Sequence, residues 1–125
     1  MTEEIRNIFI AEASEQLSTI DLLLDGQTIV AEPDTFIEKV FLTMHSIKGS
    51  SPMFGFKNLP LMALPVEKTF AKIRKGELQL SPELLFRTHC IVKHLQQALH
   101  AKSDLHLVQI SEQDDAVNYF KNLCS

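Results

Sequence analysis

The run Met44-His45-Ser46-Ile47-Lys48-Gly49-Ser50-Ser51 holds the densest chemistry in this chain. On a helix it sets an imidazole, a lysine one turn later and then a glycine along one strip. An imidazole near neutral pH keeps one ring nitrogen unprotonated, because its ordinary pKa is about 6.5. That nitrogen is a competent nucleophile toward phosphorus. Lys48 at i+3 would neutralise incoming phosphoryl oxygens as a point charge. Gly49 at i+4 has no side chain, so a partner's reacting group could approach the ring closely. A glycine inside a helix costs about 1 kcal/mol relative to alanine and needs a reason. Close helix packing is the usual one, yet Gly49 falls on the polar side. Phosphoryl transfer asks mainly for positioning and charge stabilisation, and this strip offers both.

The strip needs a helix of the right phase. Phe36, Ile37, Val40, Phe41, Met44 and Ile47 repeat with helical period and predict a helix from near Asp34 to near Ser51. Pro52 stops it, since the residue before a proline is pushed away from helical geometry. At roughly 100° per residue, His45 falls about 130° from the centre of the apolar arc. It is therefore expected to be exposed at mid-helix, beside Glu38, Leu42, Lys48 and Gly49. Phe41 and Leu42 lie on its flank, and with Met53 they are candidate docking residues for a partner's helix.

The rest of the chain also reads as helix. A first helix is expected from about Thr2 to Leu24, with Ile5, Ile8, Phe9, Ala13, Leu17, Ile20 and Leu24 on one face. Gly26 is expected to end it and to open a loop reaching Pro33. A short apolar linker, Pro52 to Phe56, leads to a third helix that starts around Asn58 to Pro60. That helix runs to Lys75, with Gly76 as its C-terminal cap. Pro65 lies inside it and predicts a kink or a late start. Ser81-Pro82-Glu83 is a strong N-terminal signal for a fourth helix, with Leu84, Leu85, Thr88, Ile91, Val92, Leu95 and Leu99 as its stripe. After a polar break, Ser111 to Asp114 caps a last short helix carrying Ala116, Val117, Phe120 and Leu123. The predicted fold is all-α: an antiparallel four-helix bundle with a short additional C-terminal helix. It forms a single domain over 1–125, with the bundle at about 2–102 and the appended helix at about 111–124.

Composition narrows the partners. A chain of 125 residues with 45% hydrophobic and 22% charged residues fits one soluble core-bearing domain. A net charge of −4 argues against nucleic acid or an anionic membrane as the main partner. No apolar run approaches the roughly 18 residues that span a bilayer, and the acidic start Met1-Thr2-Glu3-Glu4 is unlike a secretory signal. Cys90 and Cys124 form no CxxC, which points to a reducing, cytoplasmic setting. Cys90 and His94 have i, i+4 spacing, but no second pair completes a metal site, so His89, His94, His100 and His106 read as surface residues. With four glycines and no phosphate-binding glycine loop, the chain is expected to need no cofactor of its own and not to be an enzyme.

His45-Ser46-Ile47-Lys48-Gly49-Ser50-Ser51, with Gly55 ten residues after the histidine, resembles the signature of the histidine-containing phosphotransfer (HPt) domain. Phe54-Gly55-Phe56, Arg74-Lys75-Gly76-Glu77-Leu78 and the opening Ile8-Phe9-Ile10-Ala11-Glu12-Ala13 are similar to the N-terminal phosphoacceptor domain of chemotaxis-type histidine kinases. The resemblance covers about the first hundred residues. It implies a helical bundle in which His45 accepts a phosphoryl group from a histidine kinase catalytic domain and passes it to an aspartate of a response-regulator receiver domain. In that subgroup a glutamate of the next helix hydrogen-bonds the δ nitrogen of the histidine, and Glu67 stands at the matching place. Leu64 stands where such domains often carry a further histidine. The competing reading is a non-catalytic helical adaptor whose His45 face docks a signalling partner without phosphorylation.

Overall fold

The computed structural model describes residues 1–125, and it is all-α. The helices are α1 (Glu3–Leu23), α2 (Gly26–Ala31), α3 (Pro33–Ser50), α4 (Leu59–Arg74), α5 (Pro82–Ala101), α6 (Leu107–Gln113) and α7 (Asp115–Cys124), with one 3-10 turn at Ser51–Phe54. The long helices α1, α3, α4 and α5 form the bundle, α1 and α4 each packing against α3 and α5. Side-chain pairs give the directions. Phe9 near the start of α1 stacks on Phe54 beyond the end of α3, at 4.5 Å between ring centroids. Arg6 donates to the Lys102 carbonyl at the end of α5, at 2.8 Å, while Asp21 near the end of α1 meets His89 in the first half of α5. These contacts make the neighbours of α1 antiparallel to it.

The core is built from the inward stripes of all four long helices. Leu17 and Ile20 meet Phe36, Val40 and Met44, with Val66 and Phe70 from α4 and Ile91, Val92 and Leu95 from α5. Phe36 and Phe70 pack edge to face at 6.0 Å, a geometry that contributes about 0.5–1.5 kcal/mol beyond area burial. This contact fixes the N-terminal part of α3 against α4.

Helix ends follow the local sequence closely in most places. Thr2 Oγ1 caps α1 and Ser81 Oγ caps α5 through the backbone N–H groups of Ile5 and Leu84. Gly76 has φ +78° after α4, where the N–H of Glu77 reaches back to the Lys72 carbonyl, as a left-handed C-terminal glycine permits. The start of α4 is held differently. Asn58 makes no side-chain cap; instead Asp104 Oδ2 accepts the backbone N–H groups of Asn58 and Leu59 at 2.6 and 2.8 Å. A buried carboxylate from beyond α5 thus caps α4 and complements its dipole.

Several expectations are corrected. The stretch from Gly26 to Pro33 is not a loop: Asp25 caps it, its Oδ1 accepting the Thr28 N–H at 2.7 Å, and α2 forms. Ile5 and Ile8 are exposed rather than buried, because Ile8 lies nine residues from Leu17 and so about half a turn away. Arg6 and Ile10 take the inward direction instead. Pro65 does not delay α4, which begins at Leu59 and runs through it to Arg74. The residues from Leu107 to Gln113, read as a polar break and a cap, form α6. The additional C-terminal helix is more than an outer brace, since Ala116, Val117 and Phe120 join the main core against α4 and α5.

Candidate functional site

His45 stands in the last third of α3 with 59% of its side chain exposed, while Met44 and Ile47 on either side are buried. The phase of α3 therefore turns the imidazole outward. Across the α3–α4 seam, Glu67 is nearly buried and lies against it: Oε2 is 2.5 Å from His45 Nδ1. Lys48, one turn after His45, reaches the same carboxylate, with Nζ 2.9 Å from Oε1 and 3.2 Å from Oε2. One carboxylate thus joins the imidazole and the ammonium.

The charge state of this group follows from its surroundings. Burial would push the Glu67 carboxyl up, but hydrogen bonds from Lys48 and His45, with their charges, carry it below its ordinary value. Glu67 is therefore an anion at neutral pH. It accepts the Nδ1–H of His45, which fixes the tautomer and leaves Nε2 as the nitrogen with a free lone pair. Nε2 makes no hydrogen bond within the protein. Lys48 remains one-third exposed, so its charge is available at the rim.

Behind the imidazole stands a second layer. Phe41, one turn earlier on α3, stacks on the His45 ring at 6.0 Å with 13° between planes. The Arg74 guanidinium of α4 sits 4.1 Å from the Phe41 centroid, and its Nε donates to Glu38 Oε2 at 3.0 Å. A cation over an aromatic face contributes about 0.5–1 kcal/mol at such partly exposed positions. The imidazole is held by Glu67 at its δ nitrogen and by Phe41 at its face.

Gly49 lies on the open side. A Cβ built there meets no atom within 4 Å, so helix packing does not require glycine at this position. Leu42 and Met53 are exposed, but Phe41 is half-buried beneath His45 and Arg74. Its ring is stacked between the His45 imidazole and the Arg74 guanidinium, so it supports the site from within the strip's flank. Beside the strip, a groove of about 270 Å³ runs between α1 and α3, edged by Ile5, Ile8, Phe9, Ser46, Ile47 and Phe54.

The structure brings His45, Lys48 and Glu67 together and leaves Gly49 open beside them. Sequence reasoning missed the structural role of Phe41 and Arg74. The i−4 spacing of Phe41 from His45 is a usable signal for the first; nothing local marks the second.

Comparison with known proteins gives the same direction. The family model described as "Hpt domain" matches residues 4–106. The chain is similar to the chemotaxis protein CheA of Rhizobium meliloti (strain 1021), with 34% identity over 86 residues, covering 66% of this chain and 11% of that protein. It is also similar to the sensor histidine kinase CheAY of Helicobacter pylori (strain ATCC 700392 / 26695), with 28% identity over 83 residues, covering 66% of this chain and 10% of the relative. The chain thus spans about a tenth of the length of these curated relatives. No solved structure gives a significant match. With the family model covering most of the sequence, the chain belongs to the Hpt domain family, a phosphotransfer module of two-component signalling.

Proposed function

We propose that His45 is the phosphoacceptor of a two-component relay, charged by a separate histidine kinase catalytic domain and discharged to a receiver-domain aspartate. The observation that carries this reading is the exposed imidazole whose Nδ1 is held by the buried Glu67 carboxylate, with Lys48 on the same carboxylate. In the first step the Nε2 lone pair attacks the γ-phosphorus of kinase-bound ATP, the N–P bond forms and the bond to ADP breaks. The ring becomes a phospho-imidazolium whose remaining proton stays on Nδ1, facing Glu67. Lys48 balances the added phosphoryl charge. In the second step the receiver carboxylate attacks phosphorus and the neutral imidazole leaves.

Gly49 would let the partner's reacting atoms reach the ring, while Leu42, Met53 and the rim of the α1–α3 groove would be covered by that partner. Burial of such apolar rim residues is the ordinary way an exposed patch contributes to docking. The reading places the domain in the cytoplasm as one working unit over 1–125, and no helix of the chain is long and apolar enough to cross a membrane.

The test is incubation with a chemotaxis-type kinase core and ATP, or with phosphoramidate. The expected result is acid-labile, base-stable phosphate on the wild-type chain, with His45 lost as an acceptor in His45→Gln. A chain that takes no label from any donor, yet still binds a kinase or receiver, would be an adaptor.

A further inference from the structure

The arrangement at His45 occurs a second time, on the opposite seam of the bundle. Asp21, in the last turn of α1, accepts His89 Nδ1 of α5 on Oδ1 at 3.0 Å and Lys93 Nζ on Oδ2 at 3.2 Å. As at the first site, histidine and lysine lie one turn apart on one helix, and the carboxylate comes from the helix alongside. The δ nitrogen is again held, and Nε2 again has no protein partner. His89 is 44% exposed. We infer that His89 is a second phosphorylatable histidine, one that takes the phosphoryl group of a small anionic phosphoramidate-type donor. This inference rests on reading the His45 arrangement as an acceptor, since the same geometry is what recurs.

Two observations direct the choice of donor. The residue four places after His89 is Lys93, where His45 has the bare Gly49. A protein's active site would meet that side chain, whereas a small molecule would not. Beside His89 lies an open groove of about 420 Å³, lined by Arg87, Cys90, Lys93 and His94, with Asp114 and Asp115 on its α7 side. Asp114 is already engaged: Oδ1 pairs with His94 Nε2 at 3.0 Å, and Oδ2 accepts the first N–H groups of α7. Arg87 pairs with Glu83 through its Nη2 at 3.5 Å, so the cationic donor for an anion at His89 is the half-exposed Lys93 ammonium. Cys90 does not compete as a nucleophile, because burial and the nearby Asp114 push its thiol above the usual range.

The step balances without a further reactant. Nε2 of the neutral ring attacks phosphorus of the phosphoramidate zwitterion, the new N–P bond forms, and the old P–N bond breaks to release ammonia. The ring keeps its Nδ1 proton against Asp21 and carries the positive charge. Tying α1 to α5 would not by itself need a histidine, since Lys93 already pairs with Asp21.

The experiment treats the full chain with phosphoramidate at neutral pH and maps phosphohistidine by ³¹P NMR and mass spectrometry without acid. His45→Gln is expected to retain one acid-labile phosphoryl group, on His89, and His45→Gln/His89→Gln to retain none. Asp21→Asn is expected to slow His89 labelling by about tenfold while leaving His45 labelling unchanged. Label on His45 alone overturns the inference and leaves the proposed function intact; label on His89 alone does the reverse. Label on exposed His100 at the rate of His89 also overturns it, because the geometry then confers nothing. Thermal unfolding of each variant separates a lost site from a lost fold.

Discussion

Glu67 Oε2 and His45 Nδ1 lie 2.5 Å apart across the α3–α4 seam, and that contact decides which imidazole nitrogen faces solvent. Glu67→Ala removes the acceptor of the Nδ1 proton, so the ring can rotate and exchange tautomers. Phosphorylation of His45 is expected to fall by about tenfold or more, by analogy with carboxylates that orient metal-ligating histidines. The comparison of rates with phosphoramidate and with a kinase core checks this, because both should fall together. Unchanged kinetics would remove Glu67 from the site.

The same carboxylate makes stability depend on acid. Its folded pKa lies below the ordinary 4.5, as hydrogen bonds and charge from Lys48 and His45 outweigh burial. Where the unfolded chain binds the proton and the folded one does not, stability rises with pH. The contribution of Glu67 is therefore fully present above about pH 4.5 and is lost as pH falls through the lower folded value. Urea unfolding between pH 7 and pH 3 should show a steep loss below pH 4.5 in the wild type, and a flatter one in Glu67→Gln. Equal slopes would mean that the pairing contributes nothing to folding.

Lys48 touches the carboxylate at 2.9 Å and remains partly exposed, so it stands between structure and chemistry. If its charge acts on the transferring group, Lys48→Ala slows phosphoryl transfer by about tenfold or more, a loss of 1.4 kcal/mol or more in transition-state stabilisation. Receiver affinity, measured by titration calorimetry, should change much less. Parallel losses in rate and affinity would assign Lys48 to docking instead.

The fold was legible where neighbours in sequence decide the outcome. The stripe from Phe36 to Ile47 gave the phase of α3, and hence the outward imidazole; Ser81 and Gly76 marked their helix ends. What escaped were contacts between distant residues. Asp104 caps α4 from 45 positions away, and Arg74 covers Phe41 from the facing helix, with no local pattern to announce either. The loop reading of Gly26 failed for a different reason. A glycine terminates a helix where it takes positive φ, but among the glycines that occurs only at Gly55 and Gly76, and Gly26 simply opens α2 after Asp25. Glu67 came from likeness to a family rather than from spacing, since nothing along α4 says which of its faces meets α3.

Gly49 offers the sharpest separation of folding from function. A Cβ at this position meets open space, and alanine is the better helix former by about 1 kcal/mol, so Gly49→Ala should be more stable than the wild type by about that amount. Chemical denaturation measures this directly. Transfer from phosphoramidate should be unchanged, because a small donor does not need the cleared surface. Transfer from a kinase core, or to a receiver, should slow, and Gly49→Leu should slow it further without loss of fold. If the leucine variant relays phosphoryl groups at the wild-type rate, the glycine does not serve protein approach, and its helix cost has no functional return.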